Sequence, residues 1–287
     1  MTTESPIDYA SLSSDQFAVL RPDIEFTVSD SLAVQNDHFA RYMGGRLQEA
    51  AARDATFSVV LPTGPIDYLP FVEHINRQRI SMRHMHVFMM DDYCADETHL
   101  VDEGHPLSFR GFVNDLLLDQ VDPELRMPAD QLRFPDPADP AAFTARVATV
   151  GGVDVAYAGI GLSGHLAFND PPDDEAECTV ANVRDSLTRV VRLSRETIAQ
   201  NALAGTRGLL EAVPPLAITI GMRELLEARE VHVYLLRKWH SGIVRKTFFG
   251  PVTPSMPASF LQEHPCVKVF MPGYVAAVPG VNVTLDI

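Results

Sequence analysis

Short apolar runs alternate with segments of helical periodicity along most of this 287-residue chain, and this alternation limits the possible folds more than any other feature. Apolar runs of strand length predict strands at residues 56–61, 84–90, 153–158, 188–193, 216–220, 231–236 and 267–271. Helical spacing of apolar residues predicts helices at residues 30–52, 66–77, 107–118, 141–150, 195–204 and 241–249. Strands that alternate with helices favour an α/β fold, with a mostly parallel open sheet and helices on both of its faces.

The two ends of the chain differ in their patterning. Residues 1–24 have weak hydrophobic periodicity, and we interpret them as an N-terminal extension. The remaining residues, 25–287, contain no internal repeat and no change of composition that would mark a linker. Because 46% of the residues are apolar, the chain has enough apolar side chains for one large packed core. We therefore predict a single α/β domain over residues 25–287.

Composition and charge exclude several classes of partner. The formal net charge of −15 argues against nucleic-acid binding, since the chain offers no basic face to a phosphate backbone. The chain lacks an apolar stretch of about 18 residues, so we expect no membrane span. Its N-terminus lacks the pattern of a signal peptide, and its three cysteines have neither disulfide nor zinc spacing. These features predict a cytoplasmic protein with reduced thiols.

The segment after the predicted strand at 153–158 is the clearest candidate for a functional site. Gly159, Gly161 and Gly164 lie close together, so the backbone can turn sharply and approach a ligand. His165 follows these glycines, and Asp170 lies five positions further along. Because ligands bind at the carboxyl ends of strands in open α/β sheets, the pattern predicts a ligand site with a proton-transfer histidine. The alternatives are a histidine satisfied by the loop backbone and an aspartate that caps the next turn.

Two other predicted strands also end in polar residues. Thr63 and Gly64 follow the first strand, and Asp91 and Asp92 follow the second. A carboxylate that emerges from a buried strand is partly desolvated, which raises its pKa and suits it to act as a base. The alternative for the acidic pair is a solvated turn or a helix cap. Several strands that deliver polar residues to one edge of a sheet are typical of α/β enzymes.

Serine hydrolysis and metal binding are both disfavoured. Ser163 lies in Gly-Leu-Ser-Gly-His, where a histidine replaces the last glycine of the nucleophile-elbow pattern Gly-x-Ser-x-Gly. His84, His86 and an acidic loop at 96–105 contain residue types that bind metals, but their spacing matches no metal motif. We therefore expect no metal ion and no cofactor.

Two motifs are specific enough to indicate a family. They are Gly-His-Leu-Ala-Phe-Asn-Asp-Pro at 164–171 and Pro-Ala-Ser-Phe-Leu-Gln-Glu-His-Pro at 257–265. Shorter matching pieces occur at residues 61–64, 88–93, 105–109 and 217–226. Together these pieces span most of residues 25–271, and they resemble the glucosamine-6-phosphate deaminase family more than its relatives, the 6-phosphogluconolactonases. The resemblance implies a Rossmann-like α/β domain.

The resemblance also implies catalytic roles. By position, His165 promotes opening of the sugar ring, Asp91 moves a proton between C1 and C2, and Asp170 tunes the histidine. Asp92 is the second acid of the motif Met-Asp-(Glu or Asp)-Tyr, and Ser163 occupies a position where the family usually has Asp or Asn. We include both as candidate catalytic residues. One carboxylate can carry a proton between adjacent carbons, and imidazole exchanges a hydroxyl proton readily near neutral pH.

The phosphate-binding loop that the resemblance implies departs from the family pattern. Thr63 and Gly64 match its first two residues, whereas Pro65 and Ile66 replace the glycine and threonine that follow. Proline lacks a backbone N–H and isoleucine lacks a hydroxyl, so two groups that hold phosphate in the family are missing here.

The cationic phosphate contacts implied by the resemblance are changed as well. The family's phosphate lysine falls on His240, with Lys238 as the nearest substitute, and its phosphate arginine falls on Leu203, with Arg195 as the nearest substitute. The substrate-binding residues that we predict are Thr63, Gly64, Gly161, Gly164, Lys238, His240 and Arg195. Losing one charge-assisted contact costs about 1.5–3 kcal/mol, so several losses weaken phosphosugar binding by orders of magnitude. We therefore predict an unphosphorylated or differently decorated amino sugar or ketose as substrate.

The sequence supports three functional hypotheses. The first is an enzyme that interconverts an aldose and a ketose, with or without loss of ammonia, through Asp91 and His165. The second is a non-catalytic homologue that binds a sugar or a partner protein, which Ser163 and the changed phosphate loop favour. The third is a lactonase-like hydrolase, which the residues after His165 disfavour. We rank them in this order and expect a small-molecule sugar or sugar phosphate as ligand; the resemblance also implies a homo-oligomer.

Overall fold

A parallel sheet forms the centre of the protein, whose computed structural model describes residues 8–280. The described residues contain the strands β1 (Ile24–Ser29), β2 (Phe57–Leu61), β3 (Met85–Met89), β4 (Asp91–Cys94), β5 (Leu132–Arg133), β6 (Val155–Ala158), β7 (Arg189–Arg192), β8 (Leu216–Thr219), β9 (Glu230–Tyr234) and β10 (Val267–Pro272). Seven of these strands form the parallel sheet, in the order β1-β10-β9-β6-β2-β3-β5. The predicted mostly parallel α/β sheet is confirmed, although β1, β4 and β5 were not among the predicted strands.

Helices cover both faces of this sheet, as predicted. The described helices are α1 (Phe17–Leu20), α2 (Leu32–Arg53), α3 (Leu69–Gln78), α4 (Phe109–Val113), α5 (Pro140–Thr149), α6 (Val180–Arg184), α7 (Arg195–Asn201), α8 (Met222–Leu226), α9 (His240–Phe249) and α10 (Gly273–Ala276). Two of them continue as π-helical turns, α4 into Asn114–Leu118 and α7 into Ala202–Thr206. None of the helices within residues 8–280 is long and apolar enough to cross a membrane.

Alternate residues of each central strand enter different parts of the core. In β2, Val60 packs into the cluster that includes Val244 of α9, whereas Val59 and Leu61 pack into the cluster that includes Phe39 of α2. Successive side chains of a strand point to opposite faces, so a run of apolar residues in β2 fills both layers. This two-sided burial explains why four of the five residues of the strand are apolar.

A smaller sheet of three antiparallel strands, in the order β4-β8-β7, corrects part of the predicted arrangement. The predicted runs at 188–193 and 216–220 form strands, but they pair in this second sheet instead of the parallel one. The chain changes sheets at Met90, whose N–H donates to Leu61 O at 3.1 Å while its carbonyl accepts from Ile220 N at 2.7 Å. The residue after Met90 therefore begins a strand of the second sheet.

The predicted N-terminal extension is described from residue 8 onward, and residues 1–7 and 281–287 lie outside the described part of the chain. Leu12 and Phe17 are buried in the core, at 4% and 1% exposure. Arg245 of α9 donates its Nε–H to Leu12 O at 2.8 Å. This segment therefore packs against α9, and the division of the chain into an extension and a domain stays a prediction.

Candidate active site

A cavity of about 670 Å³ opens at the carboxyl ends of the central strands. Its lining includes the segments that follow β2, β3, β6 and β9, at residues 62–65, 90–91, 159–162 and 236–237. Because these four strands are neighbours in the sheet, residues that are distant in sequence meet at one edge. The predicted site residues that line the cavity are Thr63, Gly64, Asp91, Gly161, His165 and His240.

Asp91 is the buried acid of the cavity. It is only 5% exposed, and its carboxylate accepts no hydrogen bond within residues 8–280. Burial, and to a smaller extent the negative charge of Asp92, raises the pKa of Asp91 well above its usual value. A raised pKa brings a carboxyl group closer to neutral pH, where it accepts and returns protons efficiently. Asp91 therefore has the properties of a general base.

Asp92 is tied to the start of helix α4 and does not line the cavity. Its Oδ1 accepts from the N–H groups of Tyr93 at 2.8 Å and Phe109 at 2.9 Å. Its Oδ2 lies 3.3 Å from both the backbone nitrogen and the Nε of Arg110. Burial raises the pKa of Asp92, and these hydrogen bonds together with the charge of Arg110 oppose the shift. Of the two adjacent acids, only Asp91 is free to meet a substrate.

Replacing Asp92 with alanine is expected to destabilise the protein by about 3–5 kcal/mol. The change leaves the Arg110 guanidinium and the first N–H groups of α4 without their buried partner. Urea-induced unfolding measures the loss, and Asp173→Ala in an exposed loop is the control. An Asp92 variant as stable as the control would show that α4 does not depend on this carboxylate.

His165 and Asp170 form a hydrogen-bonded pair beneath the glycine-rich loop. His165 Nδ1 lies 2.9 Å from Asp170 Oδ1, and the two side chains are 7% and 9% exposed. Burial by itself would raise the pKa of Asp170. The hydrogen bond and charge of His165 outweigh burial, together with hydrogen bonds from two hydroxyl groups, and they hold that pKa well below its usual range. Because the ionised carboxylate accepts from Nδ1, the other ring nitrogen, Nε2, is left to exchange protons with a ligand.

Two hydroxyl groups and one backbone N–H complete the surroundings of this pair. Ser163 Oγ donates to Asp170 Oδ1 at 2.7 Å, and Thr197 Oγ1 donates to the same oxygen at 2.8 Å. Both hydroxyl oxygens also lie within 3.0 Å of His165 Nδ1. The Ser194 N–H donates to Asp170 Oδ2 at 3.1 Å. Ser163 and Asp170 do not line the cavity, and these contacts make them positioning residues for His165.

Gly161 and Gly164 shape the loop that carries the histidine. The Gly161 N–H donates to His165 O at 3.0 Å, and Gly164 has a φ of +84°. A Cβ atom on Gly161 would lie 2.0 Å from His165 Nε2, and one on Gly164 would lie 2.1 Å from Met256 Sδ. Only glycine fits these two positions, the second because of its backbone conformation as well. Gly164 supports the loop from outside the cavity lining.

His240 links two loops of the cavity and carries no charge at neutral pH. Its Nδ1 accepts from the N–H groups of Leu236 and Arg237, each at 2.9 Å, and its Nε2 donates to Ile160 O at 3.0 Å. Burial, opposed by the hydrogen bond to Ile160 and assisted by the charge of Arg237, lowers the pKa of His240 to about 4. The predicted phosphate-lysine position thus holds a neutral side chain that fastens the loop after β9 to the glycine-rich loop.

The substitution His240→Ala is expected to lower the free energy of unfolding by about 2–4 kcal/mol. The change removes three hydrogen bonds and leaves two N–H groups and one carbonyl without a partner. Chemical denaturation measures the effect. His99→Ala, on an exposed loop, is the matched control and should change stability by less than about 0.5 kcal/mol. Equal stability of the two variants would contradict the linking role of His240.

The two other predicted cationic residues lie outside the cavity lining. Arg195 is the first residue of α7, and both it and Lys238 are exposed. Leu203, where the resemblance predicts the family's phosphate arginine, does line the cavity and is 80% exposed. The cationic side chain found in the lining is instead Arg237.

Sequence reasoning missed Thr197 and Arg237. Arg237 follows a predicted strand at the same sheet edge as the other site residues, so its position was a usable signal. Thr197 meets His165 only because α7 packs beside the glycine-rich loop, and no sequence pattern indicates this contact.

Aromatic side chains contribute much of the remaining lining. The rings of Phe109 and Phe168 lie 5.1 Å and 5.5 Å from the ring of Tyr93, centroid to centroid. Trp239 is half-buried beside His240, at a ring separation of 4.0 Å. Aromatic faces suit the apolar C–H face of a sugar. Within residues 8–280, no group of three His, Cys, Asp or Glu residues is placed to hold a metal ion.

Comparison with known proteins indicates the family of this chain. No family model matches the chain. A glucosamine-6-phosphate deaminase of Rhodopirellula baltica is 34% identical over 206 residues, which are 70% of this chain and 74% of that protein. The structure of a monomeric glucosamine-6-phosphate deaminase has a TM-score of 0.74 at 22% identity, over 89% of this chain and 100% of that one. The structure of a 6-phosphogluconolactonase from Thermotoga maritima has a TM-score of 0.61 at 15% identity, over 87% of this chain and 99% of that one.

These similarities carry different weight. The two solved structures are too distant in sequence to indicate more than a shared fold. The Rhodopirellula baltica protein is more than 30% identical to this chain and is similar over more than two thirds of both chains. The family resemblance drawn from the sequence is confirmed: this chain belongs to the glucosamine-6-phosphate deaminase family.

Proposed function

We propose that this protein converts an amino sugar to a ketose with release of ammonia, and that Asp91 moves the proton between C2 and C1. The observation that carries the proposal is a buried carboxyl group with a raised pKa and no hydrogen-bond partner within residues 8–280, in the same cavity as His165. A base for a C–H proton has to be free to accept and return it. The neighbouring Asp92 is fully hydrogen-bonded and does not meet this requirement.

His165 opens the sugar ring in this proposal. The hydrogen bond to Asp170 fixes Nδ1 as the donor, so Nε2 accepts the proton of the C1 hydroxyl and returns a proton to the ring oxygen. The adjacent ionised Asp170 stabilises the imidazolium that forms during this exchange. Ser163 and Thr197 act indirectly, because their hydroxyls hold the carboxylate in place.

The remaining chemistry balances with water as the only co-reactant. Asp91 removes the C2 proton from the open-chain aldehyde, and the C1 oxygen gains a proton to give an enolamine. Asp91 then returns the proton to C1, which leaves an iminium group at C2. Water adds to C2 and ammonia departs. The overall change is amino sugar plus water to ketose plus ammonia.

Three positions support a substrate other than the usual 6-phosphosugar. Pro65 supplies no N–H to the loop after β2, Leu203 supplies no charge, and His240 is neutral. Each replaces a contact that the family resemblance assigns to phosphate. We therefore propose an unphosphorylated or differently decorated amino sugar as substrate.

Parallel assays of ammonia and ketose test this proposal. Glucosamine, glucosamine 6-phosphate and other decorated amino sugars are incubated with the protein, and both products are measured. We expect equal amounts of ammonia and ketose, formed less efficiently from the phosphosugar than from a better-matched sugar. Ligand-induced thermal stabilisation without any product would favour the non-catalytic homologue, and acid formed from a sugar lactone would favour the hydrolase. Either result would overturn the proposal.

Location and assembly belong to the same proposal. The composition of the sequence favours the cytoplasm, and the family resemblance implies a homo-oligomer. Both stay predictions. One chain supplies the residues of the proposed chemistry, because Asp91 and His165 line the same cavity and Asp170 contacts His165 from outside its lining.

A further inference from the structure

Arg237 is a cationic residue of the cavity lining that the proposed reaction does not use. It lies in the loop between β9 and α9, and its side chain is exposed. Its backbone is fixed, because its N–H donates to His240 Nδ1 at 2.9 Å. Its guanidinium makes no hydrogen bond or ion pair with other residues of the described range 8–280. The backbone thus places this exposed side chain at the cavity, with its donors available to a ligand.

Other charged side chains are sparse in the lining of the cavity, and Lys238, the next residue along the chain, lies outside that lining. Among the described residues that line the cavity, Asp91 and Arg237 are the only Asp, Glu, Lys or Arg side chains. Of the two histidines in the lining, His240 is neutral and spends both ring nitrogens on backbone groups. The exposed Leu203 presents only an apolar surface. An anionic group of a ligand would therefore meet one guanidinium and no second fixed cation from the lining.

One guanidinium balances the whole charge of a singly charged anion but only part of the charge of a phosphate monoester. A phosphate monoester carries about 1.5–2 negative charges near pH 7 and is usually held by several donors and cations. A sulfate ester or a carboxylate carries one negative charge, and two of its oxygens match the parallel N–H groups of arginine. In the loop after β2, Pro65 also removes an N–H that would help to hold a more highly charged group.

We infer that Arg237 determines the substrate class: an amino sugar that carries one singly charged group, a sulfate ester or a carboxylate, at the end remote from C1. The amino-sugar part rests on the proposed function, whereas the anion-binding part rests on Arg237 and on the sparse charge of the cavity lining. Arg237 is then a specificity-determining residue, and the phosphosugar is a poor ligand because one guanidinium leaves part of its charge unbalanced.

Isothermal titration calorimetry at pH 7.5 tests this inference with ligands of nearly equal shape. Glucosamine 6-sulfate and glucosamine 6-phosphate differ mainly in charge, glucosamine lacks the anion, and 2-amino-2-deoxyglucuronate carries a carboxylate. Asp91→Asn protein is used, so that the ligands are not consumed. We expect one of the two monoanionic sugars to bind about tenfold more tightly than glucosamine and more tightly than the phosphate. The monoanionic sugar that binds more tightly shows whether the site prefers a sulfate ester or a carboxylate.

Variants of Arg237 make the test specific. Arg237→Gln in the same background should remove the tenfold preference for the monoanion, and Arg237→Lys should restore part of it. Arg77→Gln, an exposed change in α3 outside the cavity lining, is the matched control and should leave all affinities unchanged. Binding of the phosphate tenfold more tightly than the sulfate, an unchanged preference in Arg237→Gln, or no binding of either monoanion would overturn the inference.

The inference and the proposed function fail in different ways. Selective monoanion binding that depends on Arg237, without turnover by the wild-type protein, would support the inference and overturn the function. Turnover that depends on Asp91, with no effect of Arg237→Gln on ligand preference, would support the function and overturn the inference.

Discussion

Replacing Asp91 with asparagine is expected to slow proton exchange at C2 of the substrate by about 10³-fold, because an amide cannot accept the proton. The same change should raise the melting temperature at pH 7. Burial raises the folded-state pKa of Asp91 above its unfolded value, so the stability linked to its protonation is complete below about pH 3.8 and is lost as the pH rises through the folded pKa. Asparagine removes this loss, and the two proteins should therefore converge in stability at acid pH.

Asp115→Asn, an exposed change on the π-helical turn after α4, is the control for Asp91→Asn and should keep full activity and stability. Asp92→Ala should lower the melting temperature at pH 7, whereas Asp91→Asn should raise it. The reason is that Asp92 is a hydrogen-bonded carboxylate and Asp91 is not. Undiminished exchange in Asp91→Asn would assign the proton transfer to another group. A lower melting temperature at pH 7 would contradict the unpartnered state of this carboxyl group.

The substitution Gly161→Ala is expected to lower activity by at least about 10²-fold while the protein stays folded. Its Cβ would lie 2.0 Å from His165 Nε2, so the imidazole has to move from the position that Asp170 and Thr197 hold. A displacement of about 1 Å at a catalytic group is enough for a loss of this size. Steady-state kinetics with an accepted amino sugar measure the effect, and circular dichroism checks the fold.

A double-mutant cycle tests whether this loss acts through the histidine. If Gly161→Ala works by displacing His165, adding His165→Gln should cause little further loss, because both changes remove the same function. Gly45→Ala, in helix α2 with nothing within 4 Å of the added Cβ, is the steric control and should stay fully active. Wild-type activity in Gly161→Ala would show that His165 does not work from this position.

Much of the fold was predictable because its central strands are buried on both faces. β2 and β3 are almost continuously apolar, and such runs are readily recognised in sequence. β4 was missed because its four residues begin with two acids and pair with β8, more than 100 positions away. Single-sequence patterns do not encode such a partner, so the second sheet emerged only from the structure.

The candidate site was predictable where chemistry and strand ends coincide. Asp91, His165 and Gly161 follow predicted strands and meet in one cavity, as expected for a parallel sheet. The different environments of Asp91 and Asp92 were not predictable, because they depend on which side of a four-residue strand each faces. The neutral state of His240 likewise depends on burial and on three backbone contacts that the fold creates.

Solvent-deuterium incorporation, followed by NMR, tests the central claim most directly. The wild-type protein is incubated in D₂O with glucosamine, glucosamine 6-sulfate or glucosamine 6-phosphate. The account predicts deuterium at C1 of the ketose and at C2 of the recovered amino sugar for at least one of these ligands, and no incorporation with Asp91→Asn. Product formed without any incorporation at C1 or C2, or incorporation that persists in Asp91→Asn, would contradict the account.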